Sequence, residues 1–422
     1  MDAFVINGGS PLRGTVEVSG AKNASLPIVA AALLAPGESV LLGAPKLADV
    51  STLGLVLKHM GAEVRYDDAD GSLHMDTSHL HRQEAPYELV RTMRASILVL
   101  GPLLARYGHA RVSLPGGCAI GARPVDQHLK GLEALGATIS ISHGYIEAKA
   151  PTNGLKAGHV HFDVATVTGT ENLMLAAALL TGTSVLHGCA KEPEIEDLAY
   201  VLMQMGADVE GAGTETITIH GNPHLKPFRH RVLADRIECG TLLVAGALMG
   251  EPLTVKGIVI EHQERLLYCL EEMGAKFTLD GDSITIGRIE RPRPIDVRTA
   301  PYPGFPTDMQ AQLMTLMALG RGVSTITETI WENRYMHVAE LDRLGAHIRV
   351  DGRTALITGV EKLSGTAVMA TDLRASACLV LAGLVAEGQT QVRRVYHLDR
   401  GYEALERKLA AVGADIQRVR EA

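Results

Sequence analysis

The apolar residues of this chain follow two patterns along its length. Four runs rich in alanine and leucine are apolar on every side: "LPIVAAALLA" (26–35), "LMLAAALLTG" (173–182), "LLVAGALMG" (242–250) and "LVLAGLVAEG" (379–388). Because a surface helix needs a polar face, these runs predict buried helices. Other segments repeat apolar residues on one face only, as at Leu198, Leu202 and Met205, and predict helices with an exposed side.

Strand-like alternation follows these one-sided helices. It is often folded back at a two-residue turn, such as Asp280-Gly281 in "KFTLDGDSITIG" and Asp351-Gly352 in "HIRVDGRTALITG". Asp-Gly flanked by alternating apolar residues is a strong short-range signal for a β-hairpin. A pair of antiparallel strands is therefore expected after each one-sided helix.

A glycine-alanine signature recurs along the whole chain and marks an internal repeat. It occurs six times, at Gly61, Gly136, Gly206, Gly274, Gly345 and Gly413. The spacing is about 70 residues, which is longer than one strand-helix pair and indicates a larger repeating unit. The glycine follows a one-sided helix each time, where it predicts a C-terminal cap. Each repeat then reads βαβαββ, with one helix buried and one exposed.

The sixth repeat ends without a returning strand, whereas residues 3–19 are strand-like and precede the first buried run. The simplest closure lets this N-terminal segment complete the last repeat. Both termini then belong to one domain of residues 1–21 and 233–422, and residues 22–232 form the other, with three pseudo-symmetric repeats in each. A chain of 422 residues also exceeds one ordinary core, which favours two domains of α/β class.

Composition narrows the classes of function. A net charge of −8 argues against a general nucleic-acid surface, and an aromatic content of 4% argues against stacking platforms for bases. The cysteines are odd in number and lack any CxxC pair, which disfavours disulfides and zinc and favours a reducing compartment: Cys118, Cys189, Cys239, Cys269 and Cys378. The N-terminus lacks a signal-peptide pattern, and no apolar stretch approaches the roughly 18 residues of a membrane span. We expect a cytoplasmic protein without membrane insertion, metal or cofactor.

Candidate chemistry begins where the buried helices begin. Cations stand there in three repeats, at Lys22, Arg94 and Arg374, and helix N-termini add partial positive charge. Together they predict a site for anions. Asp308 and Asp372 occupy the same repeat position, and Asp235 and Thr168 there are explained equally well as helix N-caps.

A second set of charged residues lies on the loops after the central strand of the repeats. One such loop, "PGGCAIGARPVD" (115–126), places Cys118 and Arg123 among glycines, and the corresponding loops of later repeats carry Arg334 and Arg400. A single surface arginine is most simply a solvated charge. Arginines in equivalent positions of several repeats favour a ligand with two anionic groups, because guanidinium matches phosphate and carboxylate.

Several motifs together resemble the UDP-N-acetylglucosamine 1-carboxyvinyltransferases, a family of enolpyruvyl transferases. They are "SGAKNA", "TMRAS", "LPGGCAIGARPVDQHL", "PGFPTDMQAQ", "WENRYMHVAEL", "ATDLRASACLVLAG" and "YHLDRGYE", and they extend from the first residues to the last. The resemblance implies two inside-out α/β domains of three repeats, with an active site in the cleft between them. It also implies transfer of the enolpyruvyl group of phosphoenolpyruvate to the 3'-hydroxyl of UDP-N-acetylglucosamine, an early step of peptidoglycan and cell-wall synthesis.

The same resemblance implies roles for individual residues. Asp308 matches the base that takes the hydroxyl proton. Cys118 matches a mobile-loop cysteine credited with acid chemistry, with a covalent phosphoenolpyruvate adduct and with alkylation by fosfomycin. The cations that would hold phosphate and carboxylate are Lys22, Arg94, Arg123, Arg334, Arg374 and Arg400. Residues expected at the sugar, the uridine or the reacting centre are Asn23, Pro124, Val125, Asp126, His128, Thr168, Ile330 and Asp372.

Three other functions compete with this assignment. The sister enzyme that acts on shikimate 3-phosphate shares the fold but lacks a cysteine loop of this kind. A DNA-encircling clamp could also be built from six repeats, although it needs many scattered cations on its inner surface. A sugar-nucleotide sensor of the same fold could have lost turnover, but the presence of Cys118 and Asp308 argues against it.

Overall fold

The computed structural model describes residues 2–91, 93–114 and 125–420. The strands, in chain order, are β1 (Asp2–Asn7), β2 (Leu12–Glu17), β3 (Glu38–Leu42), β4 (Glu63–Asp67), β5 (Ser72–Asp76), β6 (Glu84–Ala85), β7 (His109–Ser113), β8 (Thr138–Ser142), β9 (Tyr145–Lys149), β10 (His159–His161), β11 (Gly182–His187), β12 (Asp208–Glu210), β13 (Thr216–Gly221), β14 (Arg229–Arg231), β15 (Gly250–Lys256), β16 (Phe277–Asp280), β17 (Ser283–Ile286), β18 (Asp296–Arg298), β19 (Val323–Thr327), β20 (His347–Asp351), β21 (Thr354–Thr358), β22 (Ala367–Met369), β23 (Gln389–Arg393) and β24 (Asp415–Arg420).

The helices are α1 (Lys22–Ala31), α2 (Ala48–Met60), α3 (Tyr87–Val90), α4 (Leu100–Tyr107), α5 (Asp126–Ala134), α6 (Val167–Ala177), α7 (Pro193–Met205), α8 (Arg236–Met249), α9 (Glu264–Met273), α10 (Gln310–Ala318), α11 (Val338–Arg343), α12 (Ala377–Val385) and α13 (Leu405–Ala411). Short 3-10 helices cover Ala32–Leu34, Arg94–Val99, Ile260–Gln263, Thr307–Met309 and Val395–Arg400.

The described strands form six four-stranded sheets that share one topology. In each sheet an outer strand runs parallel to a second, the third is antiparallel to the second, and the fourth is antiparallel to the third, as in β18-β19-β21-β20. In that repeat the chain runs from β18 through α10, β19 and α11 to the hairpin. This order is the βαβαββ repeat predicted from the sequence, and it makes the chain a mixed α/β protein.

Contacts between residues divide the described chain into two compact units. Residues 2–19 and 234–420 form the first unit, and residues 20–233, apart from the undescribed positions, form the second. The first unit holds the sheets β2-β15-β17-β16, β18-β19-β21-β20 and β22-β23-β1-β24. The second holds β14-β3-β5-β4, β6-β7-β9-β8 and β10-β11-β13-β12. Each unit therefore contains three repeats and has its own apolar core.

The N-terminal segment supplies strands to two repeats of the first unit. Strand β1 lies between β23 and β24, with Asp2 opposite Arg420, so the first strand of the chain completes the last repeat. Strand β2 pairs in parallel with β15 and opens the fourth repeat. In the second unit β14 pairs in parallel with β3 and opens the first repeat, although it comes last in the unit.

The Ala/Leu-rich runs form the centres of the two units, as their composition predicted. In α8 every residue from Ile237 to Met249 is buried, and α1, α6, α10 and α12 are buried along almost their whole length. The six repeat glycines lie at or just after the ends of the outer helices, and their φ angles fall between +95° and +111°. This backbone conformation favours glycine, which confirms their capping role. Among the helices of the described residues, none has both the length and the apolar character needed to cross a membrane.

Candidate functional site

Asp308 lies on the first turn that leads into a buried helix of the first unit. Its turn, Thr307–Met309, directly precedes α10. The Arg334 Nη2 atom donates a hydrogen bond to Asp308 Oδ1 at 2.7 Å, in an ion pair whose side chains are 4% and 28% exposed respectively. The arginine is thus enclosed while the carboxylate keeps an open edge. Such a carboxylate is placed to accept a proton from a ligand.

The charge of Arg334 is secured by its acidic surroundings. Burial by itself lowers the pKa of Arg334, but the negative charges of Asp308 and Asp372 outweigh it, and the pKa lies above its ordinary value. The guanidinium therefore remains charged beside the Asp308 carboxylate. One residue at a helix start and one on a loop, which the sequence analysis named separately, form a pair here.

Glu328 is a buried residue of this site that the sequence analysis missed. Its carboxylate accepts hydrogen bonds from the hydroxyls of Thr299 at 3.0 Å and Thr307 at 2.8 Å. It also accepts from the backbone N–H groups of Ile330 at 2.8 Å and Trp331 at 3.2 Å. Glu328 therefore ties the loop that carries Ile330 and Arg334 to the turn beside Asp308.

Arg374 is enclosed among structural partners at the start of α12. Its Nη2 donates to Asp235 Oδ2 at 2.7 Å and its Nη1 to the Gly401 carbonyl at 2.6 Å, and the guanidinium lies 5.0 Å from the centre of the Tyr402 ring. Burial lowers the pKa of Arg374, but the charge of Asp235 outweighs it and raises that pKa well above its ordinary value. The side chain is 2% exposed. Arg374 thereby joins the start of α8 to the loop after Arg400.

The two aspartates of this region organise backbone turns. Asp235 caps α8, because its Oδ1 accepts from the N–H groups of Ile237 and Glu238, and the capping interpretation is confirmed for it. Asp372 Oδ1 accepts from the N–H groups of Arg374 at 2.9 Å and Ala375 at 2.7 Å. Asp372 therefore shapes the approach to α12 and contributes negative charge near Arg334.

Arg400 and Arg334 occupy equivalent loops of two repeats, as the repeat comparison indicated. Arg334 follows β19, and Arg400 ends the 3-10 helix that follows β23. His397, in that 3-10 helix, is half-buried, and burial together with Arg394 and Arg400 lowers its pKa. A neutral imidazole beside Arg400 adds no positive charge to the loop.

His128 and Thr168, two of the residues expected at the uridine, meet in the second unit. Thr168 Oγ1 lies 3.2 Å from His128 Nε2, and Asn172 Nδ2 lies 2.9 Å from His128 Nδ1. Asn172 is held in place because its Oδ1 accepts from the Gly101 N–H and its Nδ2 also bonds Ile97 O. The Asn172 amide therefore donates to Nδ1, and Nε2 carries the proton toward Thr168.

Burial keeps His128 neutral. Desolvation lowers the pKa of His128 to about 4, against a raising effect of Asp126. Thr168 does not cap its helix; the side chain of Thr166 accepts from the Gly169 N–H and does so instead. The capping alternative for Thr168 is thus wrong, because the cap lies one residue before the helix and Thr168 already belongs to its first turn.

The start of α1 carries a buried ion pair. Lys22 Nζ lies 3.0 Å from Asp49 Oδ2, and both side chains are 8% exposed. Asn23 beside it is partly exposed, Arg94 begins the 3-10 helix of the next repeat, Val125 is partly exposed and Asp126 begins α5 on the surface. Nothing in the sequence indicated that Asp49 pairs with Lys22, because an acidic residue in the first turn of a surface helix is common.

Four of the five cysteines lie within the described residues. Cys118, Arg123 and Pro124 lie outside the described residues. Four cysteines, Cys189, Cys239, Cys269 and Cys378, are free and buried, and burial raises the pKa of Cys189 to about 12 and of Cys269 to about 11. These thiols pack in the cores as expected. Within residues 2–91, 93–114 and 125–420, one group of potential metal ligands has its ligand atoms within 4.8 Å of one another. It consists of the exposed residues Asp208, Glu210 and His220, none of which is a candidate site residue.

Comparison with known proteins places this arrangement in a family. Residues 6–409 match the profile of EPSP synthase (3-phosphoshikimate 1-carboxyvinyltransferase). UDP-N-acetylglucosamine 1-carboxyvinyltransferase from Anaeromyxobacter sp. (strain K) is 61% identical over 421 residues, which is 100% of both chains. The protein of that name from Myxococcus xanthus (strain DK1622) is 57% identical over 419 residues, 99% of each chain.

Solved structures agree with this placement. The enolpyruvyl transferase NikO from Streptomyces tendae has a TM-score of 0.88 at 30% identity and covers 99% of this chain and 98% of its own. An EPSP synthase from Acinetobacter baumannii has a TM-score of 0.78 over 100% of both chains. At 17% identity, that second likeness concerns the fold alone.

Proposed function

This chain belongs to the EPSP synthase family and, within it, to the UDP-N-acetylglucosamine 1-carboxyvinyltransferases, and on that premise we propose that it transfers the enolpyruvyl group of phosphoenolpyruvate to the 3'-hydroxyl of UDP-N-acetylglucosamine and releases phosphate. The observation that carries the proposal is 61% identity over the whole chain to a transferase of that name, joined to a part-exposed Asp308 beside the buried Arg334. The reaction needs a base, an acid and cations, and this chain offers candidates for each.

The base in this proposal is Asp308. The sugar hydroxyl oxygen bonds to C2 of phosphoenolpyruvate, and the hydroxyl proton passes to the Asp308 carboxylate. The charged guanidinium of Arg334, 2.7 Å from that carboxylate, orients it and offsets its negative charge. A proton adds to C3 in the same addition, so that the intermediate is a tetrahedral ketal with a methyl group.

The acid in this proposal is Cys118, and its support is the match of the "PGGCAIGARPVD" motif. Its thiol would give the C3 proton, and in the second half of the reaction C3 loses a proton while the bond from C2 to the phosphate oxygen breaks. The vinyl ether and inorganic phosphate are the products. We also assign to Cys118 the covalent phosphoenolpyruvate adduct and alkylation by fosfomycin-type epoxides.

The cations hold the phosphate and carboxylate of phosphoenolpyruvate in this account. They are Lys22, Arg94, Arg123, Arg334, Arg374 and Arg400. The buried pairs with Asp49 and Asp235 fix where the charges of Lys22 and Arg374 stand, and preorganised charge is worth most where water is excluded. Lys22 and Arg400 would act directly on the phosphate that departs.

The sugar nucleotide is assigned to the remaining residues. His128 and Thr168, bonded to each other, would meet the uridine together with Pro124, Val125 and Asp126. Asn23, Ile330 and Asp372 would lie at the sugar and the reacting centre. No cofactor or metal is required by this chemistry. The product would enter peptidoglycan synthesis, and the four free cysteines suit the reducing cytoplasm as its compartment.

Phosphate release tests the proposal. The protein is incubated with phosphoenolpyruvate and either UDP-N-acetylglucosamine or shikimate 3-phosphate, in the natural form and as Cys118→Ser. We expect release only with the sugar nucleotide and its collapse in the variant. Release with shikimate 3-phosphate would favour the sister activity, and silence with both acceptors would favour a sugar-nucleotide sensor.

A further inference from the structure

Tyr402 is a buried polar residue of the first unit that lies outside the set of residues proposed to contact the substrates. Its side chain is enclosed in the core, with 2% of the residue exposed, and it follows Arg400 by two positions. A phenylalanine would fill the same space, so the hydroxyl needs its own explanation. A hydroxyl in an apolar core is retained only when its hydrogen bonds are satisfied.

The Tyr402 hydroxyl belongs to a directed chain of hydrogen bonds. Thr241 Oγ1 lies 2.8 Å from the Ile237 carbonyl and 2.9 Å from the Tyr402 oxygen. Because the single threonine proton goes to the carbonyl, Tyr402 donates to Thr241. Gln312 Nε2 in turn donates to the Tyr402 oxygen at 3.1 Å. Burial raises the pKa of Tyr402 to about 12, so the hydroxyl keeps the proton that it donates.

This chain reaches Asp308 through Gln312. The Gln312 Nε2 atom also donates to the main-chain carbonyl of Asp308 at 2.9 Å, in the 3-10 turn that directly precedes α10. Gln312 and Thr241 are fully enclosed, with 0% and 1% exposed. The amide therefore cannot exchange these partners for water and fixes the turn on which the Asp308 carboxylate stands.

The same tyrosine anchors the loop that carries Arg400. Arg374 donates to the Gly401 carbonyl and lies over the Tyr402 ring, and its other bond goes to Asp235 at the start of α8. The Tyr402 side chain is thus held on one face by Arg374 and at its hydroxyl by helices α8 and α10. The turn of Asp308 and the loop of Arg400 are joined through one side chain.

We propose that Tyr402 is a positioning residue of the reaction, whose hydroxyl holds the Asp308 turn and the Arg400 loop in register through Gln312 and Thr241. This inference rests on the proposed function for the roles of Asp308 and Arg400, but the physical link between the two segments does not. Tyr402 touches neither substrate in this account, and its effect passes through the segments that it joins.

Tyr402→Phe tests the proposal because it keeps the ring under Arg374 and removes the hydroxyl. We expect kcat for phosphate release to fall about tenfold, as the loss of one oriented hydrogen bond allows, with KM for UDP-N-acetylglucosamine within about twofold of the natural value. Amide exchange in peptides that contain residues 308–312 and 400–404 is expected to become faster. Gln312→Met, which removes the donor at the other end, should give the same pattern, and the double variant should be no worse than either single variant.

Thr315→Val is the matched control. Thr315 is a buried hydroxyl one turn further along α10 that bonds the carbonyls of Ala311 and Cys378. The Thr315→Val variant should have a lower melting temperature, as Tyr402→Phe should. Its kcat and its amide exchange at residues 308–312 should remain unchanged. Equal kcat losses in the control, or unchanged exchange in Tyr402→Phe, would overturn the proposal.

The outcomes also separate this inference from the proposed function. If the natural protein releases no phosphate, the proposed function fails, and amide exchange still decides whether Tyr402 links the two segments. If Tyr402→Phe does not fold, kcat and amide exchange are measured on Gln312→Met instead. An active natural protein whose Gln312→Met and Tyr402→Phe variants match it in kcat and in exchange would leave the reaction standing and remove the positioning role.

Discussion

At the scale of the residue, the chemistry depends on charged groups whose partners come from other segments. Asp308 pairs with Arg334, Lys22 with Asp49 and Arg374 with Asp235. A buried ion pair is weak support for stability, but removing one partner leaves an uncompensated charge and is strongly destabilising. The pairs therefore fix where the charges stand more than they stabilise the fold.

Asp308→Asn separates the proposed base from the ion pair. The amide oxygen can still accept from Arg334, and the negative charges of Asp372 and Glu328 still compensate the guanidinium, so the fold should be kept, but the amide cannot take a proton. We expect kcat for phosphate release to fall by roughly 10² to 10⁴, the range for loss of a general base. Asp351→Asn, in an exposed hairpin turn, serves as the control and should retain the natural kcat. Full activity of Asp308→Asn would remove Asp308 from the base role.

His128→Gln tests the neutral histidine of the second unit through stability. The pKa of His128 is about 4 in the folded protein and 6.5 when unperturbed, so the unfolded chain binds more protons between these pH values. The contribution of neutral His128 to the free energy of unfolding is fully present above pH 6.5, and it is lost as the pH falls toward 4. Near pH 5 the free energy of unfolding of the natural protein should fall about 1 kcal/mol per pH unit more steeply than that of the variant. Denaturant unfolding from pH 4.5 to 7 measures this, and equal slopes would contradict it.

The sequence indicated individual site residues but few of the residues that they contact. Asp308, Arg334 and His128 stood out because they sit in motifs or at repeat positions. Glu328 and Asp49 did not, and Tyr402 lay in the "YHLDRGYE" motif without an assigned role, since the roles of all three depend on contacts between segments far apart in the chain. One usable signal was a polar residue inside an apolar run: Asn172 in "ENLMLAAALL" bonds His128, and Gln312 in "AQLMTLMALG" bonds Tyr402.

At the scale of the element, apolar pattern and glycine position were sufficient to predict the repeat. Both signals are local: a run that is apolar all round must be buried, and a positive φ after a helix favours glycine. The parallel pairing of β2 with β15, or of β14 with β3, was not visible in the same way. Strand pairing across more than 180 residues leaves no local pattern in a single sequence.

Gly345→Ala tests the capping role of the repeat glycines. Gly345 has φ +95°, and an added Cβ would meet nothing within 4 Å, so any loss of stability reports backbone strain alone. We expect the free energy of unfolding to fall by about 1 kcal/mol with kcat unchanged. Gly287→Ala is the control, because Gly287 lies in the same unit, has no positive φ and also has open space at the Cβ. Equal stability of the two variants would contradict the role.

At the scale of the whole molecule, strand β1 belongs structurally to the end of the chain. It lies between β23 and β24, and its Phe4 and Ile6 are buried in the core of the first unit. In the repeat of β18 to β21, strand β21 holds the place in its sheet that β1 holds here. Strand β21 directly follows its hairpin partner β20 in the sequence. Moving β1 to the C-terminus would therefore restore the order of that repeat.

A circular permutant tests this assignment. The new chain starts at Gly9 and ends at Gly8, with a short flexible linker joining Ala422 to Met1, so that β1 follows β24. We expect a folded protein with activity within about threefold of the natural chain, because native contacts are retained and surface turns tolerate new termini. Deletion of residues 2–8 without their reattachment should leave the first unit unfolded. A permutant as unstable as the deletion, by circular dichroism and melting, would contradict the assignment.

The proposed reaction forms one new bond in the product, the ether between the sugar 3'-oxygen and C2 of the enolpyruvyl group. The most direct measurement is the structure of the product that the natural protein forms from phosphoenolpyruvate and UDP-N-acetylglucosamine, determined by mass spectrometry and proton NMR. We expect a sugar nucleotide with one enolpyruvyl ether at the 3' position, two vinyl protons and one phosphate released for each product molecule. An unmodified sugar nucleotide, or a group attached at another hydroxyl, would contradict it.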